Sequence, residues 1–244
     1  MNRFFVERKD ISGGRAAVSG EDAKHMSLVL RLARGDEVIL CDGAGTDYLA
    51  RVEDMEKERV RLSIISSSAS ETEPETKVTI FQGLPKAGKL EEIIQKCVEL
   101  GAAEIVPVSA ARSVVKLTAH EFENKLPRYR RVAYEAAKQS RRGLVPTVGG
   151  LVRMDEIDPA AFDAFLLPYE EERGTTLKEA LRRLGKPRKV GVAIGPEGGF
   201  EPEEVARLCG KGARCVTLGK RILRTETAGP AVLAMLLYEL EGEA

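Results

Sequence analysis

From residue 77 onward the apolar residues fall into short runs that do not alternate with polar ones, and each run is followed by a helical pattern. The five runs are Val78-Thr79-Ile80-Phe81, Glu104-Ile105-Val106-Pro107-Val108, Ala164-Phe165-Leu166-Leu167, Val190-Gly191-Val192-Ala193-Ile194 and Cys215-Val216-Thr217-Leu218. Strands that are apolar on both faces are what a sheet covered by helices on both sides produces. The helices predicted after them cover residues 90–100, 121–142, 177–184, 203–208 and 226–240. Five strand–helix units predict an open, largely parallel sheet of the α/β class.

The first part of the chain has a different rhythm. Short strands are predicted at residues 3–6, 37–42, 47–52 and 59–64, with Gly43-Ala44-Gly45 as a turn and one helix over residues 21–32. Between the two parts lies Ser66-Ser67-Ser68-Ala69-Ser70-Glu71-Thr72-Glu73-Pro74-Glu75-Thr76, too poor in apolar side chains to offset its own ordering entropy. The expected organisation is a small β-domain at 1–68, a linker at 69–76 and an α/β domain at 77–244. The chain is neutral overall, but residues 77–146 carry 13 basic and 7 acidic side chains. Such a segregated stretch is either a phosphate-facing surface or a set of solvated helix faces.

Two segments near the end carry most of the functional information. Ile194-Gly195-Pro196-Glu197-Gly198-Gly199-Phe200 and Leu218-Gly219-Lys220-Arg221-Ile222-Leu223-Arg224-Thr225-Glu226-Thr227-Ala228 each leave an apolar strand and enter a helix. Together they predict one small-molecule pocket at the carboxyl edge of the sheet. A well-capped turn accounts for Pro202, Glu203 and Glu204, but not for the clustering of glycines before them. In the second segment Lys220, Arg221 and Arg224 crowd the positive end of a helix, where cations are disfavoured unless an anion binds there or Glu197 and Glu226 hold them.

Several other chemistries lack their residues. Gly83-Leu84-Pro85-Lys86-Ala87-Gly88-Lys89-Leu90 has phosphate-loop spacing, but Leu90 stands where a Ser or Thr must hold magnesium, and Pro85 removes a cradling N–H. Lys86 and Lys89 then face an RNA phosphate or solvent. No predicted strand is followed by the dinucleotide fingerprint Gly-x-Gly-x-x-Gly. The four cysteines, Cys41, Cys97, Cys209 and Cys215, lack Cys-x-x-Cys spacing and only His25 and His120 accompany them, so no metal site is expected. Reduced, buried thiols in a cytoplasmic protein are the expectation. The N-terminus lacks a signal-peptide stretch, and no apolar run approaches the ~20 residues of a membrane span.

At these residues the chain resembles the RsmE-type 16S ribosomal RNA uridine-N3 methyltransferases of the SPOUT (trefoil-knot) superfamily. The likeness runs nearly end to end, through Arg3-Phe4-Phe5, His25 with Val29-Leu30-Arg31, Lys89-Leu90-Glu91, Ile93-Ile94-Gln95-Lys96, Arg112-Ser113-Val114, Gln139-Ser140-Arg141, Tyr169-Glu170-Glu171 and the two late segments. The late segments are specific in combination. Tyr129 departs from the tryptophan often found there but keeps an aromatic ring.

The resemblance implies a SPOUT-type α/β trefoil-knot methyltransferase domain preceded by a small PUA-like β-barrel that binds RNA, with the chain after Thr217 threaded through an earlier loop. It implies a homodimer that takes S-adenosyl-L-methionine and methylates uridine N3 near the decoding region of 16S rRNA in the small ribosomal subunit. The implied cofactor contacts are Leu167, Pro168, Tyr169, Glu170, Gly195, Pro196, Glu197, Gly198, Leu218, Gly219, Ile222, Leu223, Arg224, Thr225, Thr227 and Ala228. Arg224 is the expected stabiliser of the uracil anion, with Glu197 or Glu226 as proton acceptor. Arg3, His25, Arg31, Lys86, Lys89, Arg112, Arg141 and Arg142 are expected either to contact RNA or to form surface ion pairs. A ribose 2′-O or transfer-RNA methyltransferase of the same fold, and a non-catalytic ribosome-assembly factor, are the alternative readings.

Overall fold

The computed structural model describes residues 1–56, 58–86 and 88–241. The chain divides into two compact units, Met1–Glu73 with Ala137–Val145, and Pro74–Ala136 with the chain from Pro146 onward.

In the first unit, β1 (Arg3–Phe5), β2 (Ile11–Ser12), β3 (Arg15–Ser19), α1 (Gly20–Lys24), β4 (Glu37–Cys41), β5 (Thr46–Glu56) and β6 (Arg59–Ala69) follow in order. The strands form one six-stranded sheet in the order β1-β4-β5-β6-β3-β2, antiparallel except where β1 joins β4. Its core is Phe4, Val18, Ala23, Met26, Val38, Leu40, Ala50, Val52, Val60 and Leu62. Two strands escape the sequence reading: β2 and β3 make a hairpin on Gly13 and Gly14, both at positive φ, where an L side chain would be strained. The helix expected over 21–32 is instead α1 followed by a π-helical turn, His25–Val29, in which Leu30 N–H donates to the His25 carbonyl. That widened turn belongs to a segment that keeps Ala23 and Met26 fully buried.

The polar stretch expected as a linker begins as strand. Residues through Ala69 pair with β5, because a ladder needs only paired backbone and leaves the serine side chains exposed. Beyond it, Glu73 binds within the first unit. It accepts from Arg142 Nη2 at 2.6 Å and from the backbone N–H groups of Gly143 and Leu144 at 3.0 and 3.1 Å. This buried pair draws 137–145, expected with the second domain, into the first unit.

The second unit contains β7 (Lys77–Gly83), α2 (Lys89–Glu99), β8 (Glu104–Ser109), α3 (Ala119–Glu123), α4 (Leu126–Gln139, whose last residues are counted with the first unit), β9 (Thr147–Val148), β10 (Val152–Arg153), β11 (Ala164–Pro168), α5 (Leu177–Arg182), β12 (Lys189–Ile194), α6 (Pro202–Gly210), β13 (Arg214–Val216) and α7 (Thr225–Leu240). All its strand pairs are parallel, in the order β10-β8-β7-β12-β11-β13, with β9 also on β8. One core cluster gathers Phe81, Val106, Phe165, Leu167, Ala193, Phe200 and Leu208, while Ile80, Ile93, Val192, Val232, Leu233 and Leu236 are also fully buried. The long helix expected over 121–142 breaks at Asn124–Lys125 into α3, opened by a Thr118–Glu121 capping box, and α4, with Pro127 in its first turn. Tyr129 stacks on Phe122 across that division, with ring centroids 5.4 Å apart. Cys41 and Cys97 are buried thiols, and burial pushes Cys97 up to about 12; Cys209 and Cys215 are half-buried and free.

Burial alone would raise the Glu73 carboxyl, but Arg142 and the two backbone donors outweigh it and hold the carboxyl below its ordinary range. Arg142→Ala leaves that charge buried without its partner and should destabilise the first unit by about 3–5 kcal/mol in urea unfolding. With a depressed folded-state pKa, the pair stabilises fully above the ordinary carboxylate range and loses its effect as pH falls through the folded-state value. A variant as stable as the parent at neutral pH would contradict this assignment.

Candidate active site

Because the strands are parallel, β7, β12, β11 and β13 all release their loops at one edge of the sheet. Lys86 with Lys89, residues 194–199, residues 168–170 with Arg173, and residues 217–225 with Ala228 meet there, around a cleft of about 680 Å³. That is within the ~300–1,000 Å³ range of small-molecule sites.

A buried hydrogen-bond relay ties three of these elements. Gln82, on β7 and fully buried, donates through Nε2 to Thr225 Oγ1 at 2.8 Å, and Thr225 donates onward to the Gly195 carbonyl at 2.6 Å. The first residue of α7 is thereby fixed to the end of β12. The loop after β13 is held equally firmly: Thr217 N–H donates to the Thr175 carbonyl at 2.8 Å, and Leu177 N–H returns to the Thr217 carbonyl at 3.1 Å.

The glycines here are required by close approach. A Cβ at Gly83 would lie 2.6 Å from Pro196 Cδ, and Gly199, at φ +70°, has the Glu170 carboxylate against the space a side chain would take. Gly198 faces Arg112, whose guanidinium lies 3.3 Å from the Gly198 carbonyl and forks onto Glu201 at 3.0 and 3.1 Å.

Charge is distributed unevenly around the cleft. Lys89 Nζ, at the start of α2, sits 3.0 Å from Glu226 Oε2 and 3.2 Å from Glu197 Oε1. Glu197 also accepts the Lys86 backbone N–H at 3.1 Å. Lys220, Arg221 and Arg224 are exposed and make no side-chain hydrogen bond or ion pair among the described residues. Arg224 is the N-cap residue of α7, so its charge lies at the positive end of a 16-residue helix.

Most residues expected around a cofactor line this cleft: Pro168, Tyr169, Glu170, Gly195, Pro196, Glu197, Gly198, Leu218, Gly219, Ile222, Leu223, Arg224, Thr225 and Ala228. Two do not. Leu167 is fully buried in the core because it is the last inward-facing strand residue, and Thr227 is exposed on α7 away from the lining. Ile194 and Gly199, within the first late segment, also line it, together with Thr217 and Arg173, which lie outside both late segments. Thr217 was read as strand, but β13 stops at Val216.

Of the basic residues expected on RNA, Arg3 is engaged with Asp47 and Ser70, and Arg142 is 4% exposed on Glu73. Both make ion pairs within the first unit, the alternative that stands beside RNA contact for these residues. Lys89 and Arg112 likewise bind carboxylates of their own unit. His25, Arg31, Lys86 and Arg141 are exposed, and Arg31 and Arg141 hold positive φ.

The RNA methyltransferase domain family matches residues 72–237, and the RNA methyltransferase PUA domain family matches residues 18–65. Ribosomal RNA small subunit methyltransferase E of Bacillus subtilis is 35% identical over 250 residues, covering 99% of this chain and 98% of that one. The chain belongs to the ribosomal RNA small subunit methyltransferase E family. A second relative of that name, from Synechocystis, is 31% identical, covering 98% of this chain and 78% of its own. The crystal structure of ribosomal RNA small subunit methyltransferase E from Neisseria gonorrhoeae bound to S-adenosyl methionine superposes with a TM-score of 0.79. It is 28% identical, with 97% of this chain and 96% of that one covered.

In this family member the relay makes a direct prediction. Thr225→Val keeps the shape but leaves Gln82 Nε2 and the Gly195 carbonyl without their shared partner, which should cost about 1–3 kcal/mol in denaturant unfolding. Thr225→Ser, which restores the hydroxyl, should recover most of that loss. Equal stability of the Val and Ser variants would show that the hydroxyl ties nothing together.

Proposed function

We propose that this protein transfers a methyl group from S-adenosyl-L-methionine to N3 of a uridine in 16S rRNA, acting in the cytoplasm on the small ribosomal subunit. The observation that carries the reading is the single cleft made by the strand-end loops of β12, β11 and β13 and locked by Thr225, in a chain of this family.

The residues present fit such a donor. Gly195 and Gly198 keep the glycine turn free of side chains, and a Cβ at Gly219, at φ +108°, would meet nothing within 4 Å. Residues 168–170, 194–198, 217–219, 222–225 and Ala228 would hold the adenosyl and methionyl ends. When bound, the sulfonium supplies an electrophilic methyl carbon, and the protein supplies alignment and electrostatics.

Uridine N3 becomes a nucleophile only once its proton has left, and the resulting charge spreads onto O2 and O4. Arg224, exposed and uncommitted at the α7 N-terminus, is placed to stabilise that charge. Lys86, Lys220 and Arg221 line the same cleft and are the nearest candidates for RNA phosphates. On the first unit, the exposed His25, Arg31 and Arg141 are candidates for RNA contacts of that unit's own.

The hydrogen bonds pinning Thr217 to residues 175–177 support a reading in which the chain after β13 threads the loop before α5 as a knot. Along α7, Ala234, Met235 and Tyr238 are exposed on one face, Tyr238 at 86%, which supports burial of that face in a homodimer.

The test is methyl transfer from labelled cofactor to small ribosomal subunits and to naked rRNA, with the modified base identified by mass spectrometry. Arg224→Ala should lower the methylation rate about 10²–10³-fold while leaving cofactor affinity within a few-fold, as expected for charge stabilisation in the transition state. Parallel loss of both, measured by calorimetry, would make Arg224 a wall of the pocket and nothing more.

A further inference from the structure

Lys89 joins two carboxylates that arrive from different elements, Glu197 from the turn after β12 and Glu226 from the first turn of α7. The three side chains are 28, 22 and 14% exposed, so they meet at the partly enclosed edge of the cleft. Glu197 is held a second time, through both carboxylate oxygens, by the Lys86 backbone N–H at 3.1 and 3.3 Å. Without the ammonium, two negative charges would share one small volume beside the place where a uracil anion must form.

We propose that Lys89 is a positioning residue that holds Glu197 and Glu226 together as ionised carboxylates and offsets part of their charge, so that neither accepts the uridine N3 proton, which leaves to solvent hydroxide instead. This rests on the proposed methyl transfer to uridine N3 and replaces the expectation that one of the two carboxylates is the base.

The surroundings of both acids point the same way. Glu226 is held below the ordinary carboxylate range first by its own backbone N–H at the helix N-terminus and then by Lys89. Burial pushes Glu197 up, but its own and the Lys86 backbone N–H groups, together with Lys89, bring it below that range. Besides Lys89 and Glu197, the charged groups near Glu226 include two cations, Arg224 on its own helix and Lys96 on α2. A useful general base has a pKa near the working pH. The uracil imide is a far weaker acid than these carboxyls, so passing its proton to either of them is strongly uphill.

The step balances without a protein base. Hydroxide takes the N3 proton and becomes water. The N3 electron pair then forms the bond to the methyl carbon as the carbon–sulfur bond breaks and its pair stays on sulfur, and an anion and a sulfonium cation become two neutral products. Through that step Arg224 faces the developing charge while Lys89 offsets one of the two nearby carboxylate charges.

The experiment uses the full-length protein and three variants: Lys89→Gln, Lys89→Arg, and Lys89→Gln combined with Glu226→Gln. For the parent, kcat/KM should rise about tenfold per pH unit through the neutral range, since the anion is formed by hydroxide; a flat profile above the carboxylate range would overturn the proposal. Lys89→Gln should lower kcat/KM about tenfold, Lys89→Arg should retain most of it, and adding Glu226→Gln to Lys89→Gln should restore most of the loss by removing the repulsion. If Glu226 is the base, the double variant falls a further ~10²–10⁴-fold.

Carbon-13 titration of the glutamate carboxyls in the ligand-free protein gives a readout independent of turnover. Glu226 should titrate higher in Lys89→Gln than in the parent, and an unmoved titration would remove the clamp. An inactive parent with a moved titration would count against the methyl-transfer reading and leave the clamp standing.

Discussion

The hydroxyl of Thr225 is the point on which the rest of the site depends. One side chain accepts from Gln82 on β7 and donates to the carbonyl that ends β12, while its backbone begins α7. Parallel strands deliver their loops to one edge without any further instruction, but they do not fix how those loops sit against one another. The relay does so from inside the core, where a hydrogen bond is shielded from water and a missing partner is expensive. The cleft therefore rests on a rigid floor even though its walls are loops.

The second constraint is electrostatic. Cations and carboxylates both line the cleft, yet they are not equally committed. Lys89 and Arg112 are tied to Glu197, Glu226 and Glu201, and in doing so they hold the start of α2, the glycine turn and the start of α6 in place. Lys220, Arg221 and Arg224 remain uncommitted at the positive end of α7. A cleft whose Glu197 and Glu226 are drawn onto Lys89, while Lys220, Arg221 and Arg224 have no side-chain partner among the described residues, suits an anionic nucleophile and a polyanionic substrate.

Much of this was legible in the chain because it has local causes. The non-alternating runs from Val78 to Val216 marked parallel strands, and the glycine turn and the segment from Leu218 to Ala228 marked the loops that line the cleft. What was not legible depends on partners distant in sequence. Nothing around Arg142 announces that it closes on Glu73, or that Arg3 closes on Asp47, so both looked available to RNA. Ser66–Ala69 read as linker because strand pairing is carried by backbone and leaves no side-chain signature when the residues are exposed. Gln82 drew no attention as one polar residue in an apolar strand; that oddity was the only local signal of the relay. Leu167 is a cofactor contact only by the family resemblance, and its side chain faces the core.

The central claim is that the loops after β11, β12 and β13 form one methyl-donor site. A crystal structure of the protein with S-adenosylhomocysteine tests it most directly. The account predicts the ligand between residues 195–198 and 217–225, with the Thr225–Gly195 hydrogen bond intact. A ligand bound elsewhere, or these two segments separated in the complex, would contradict it.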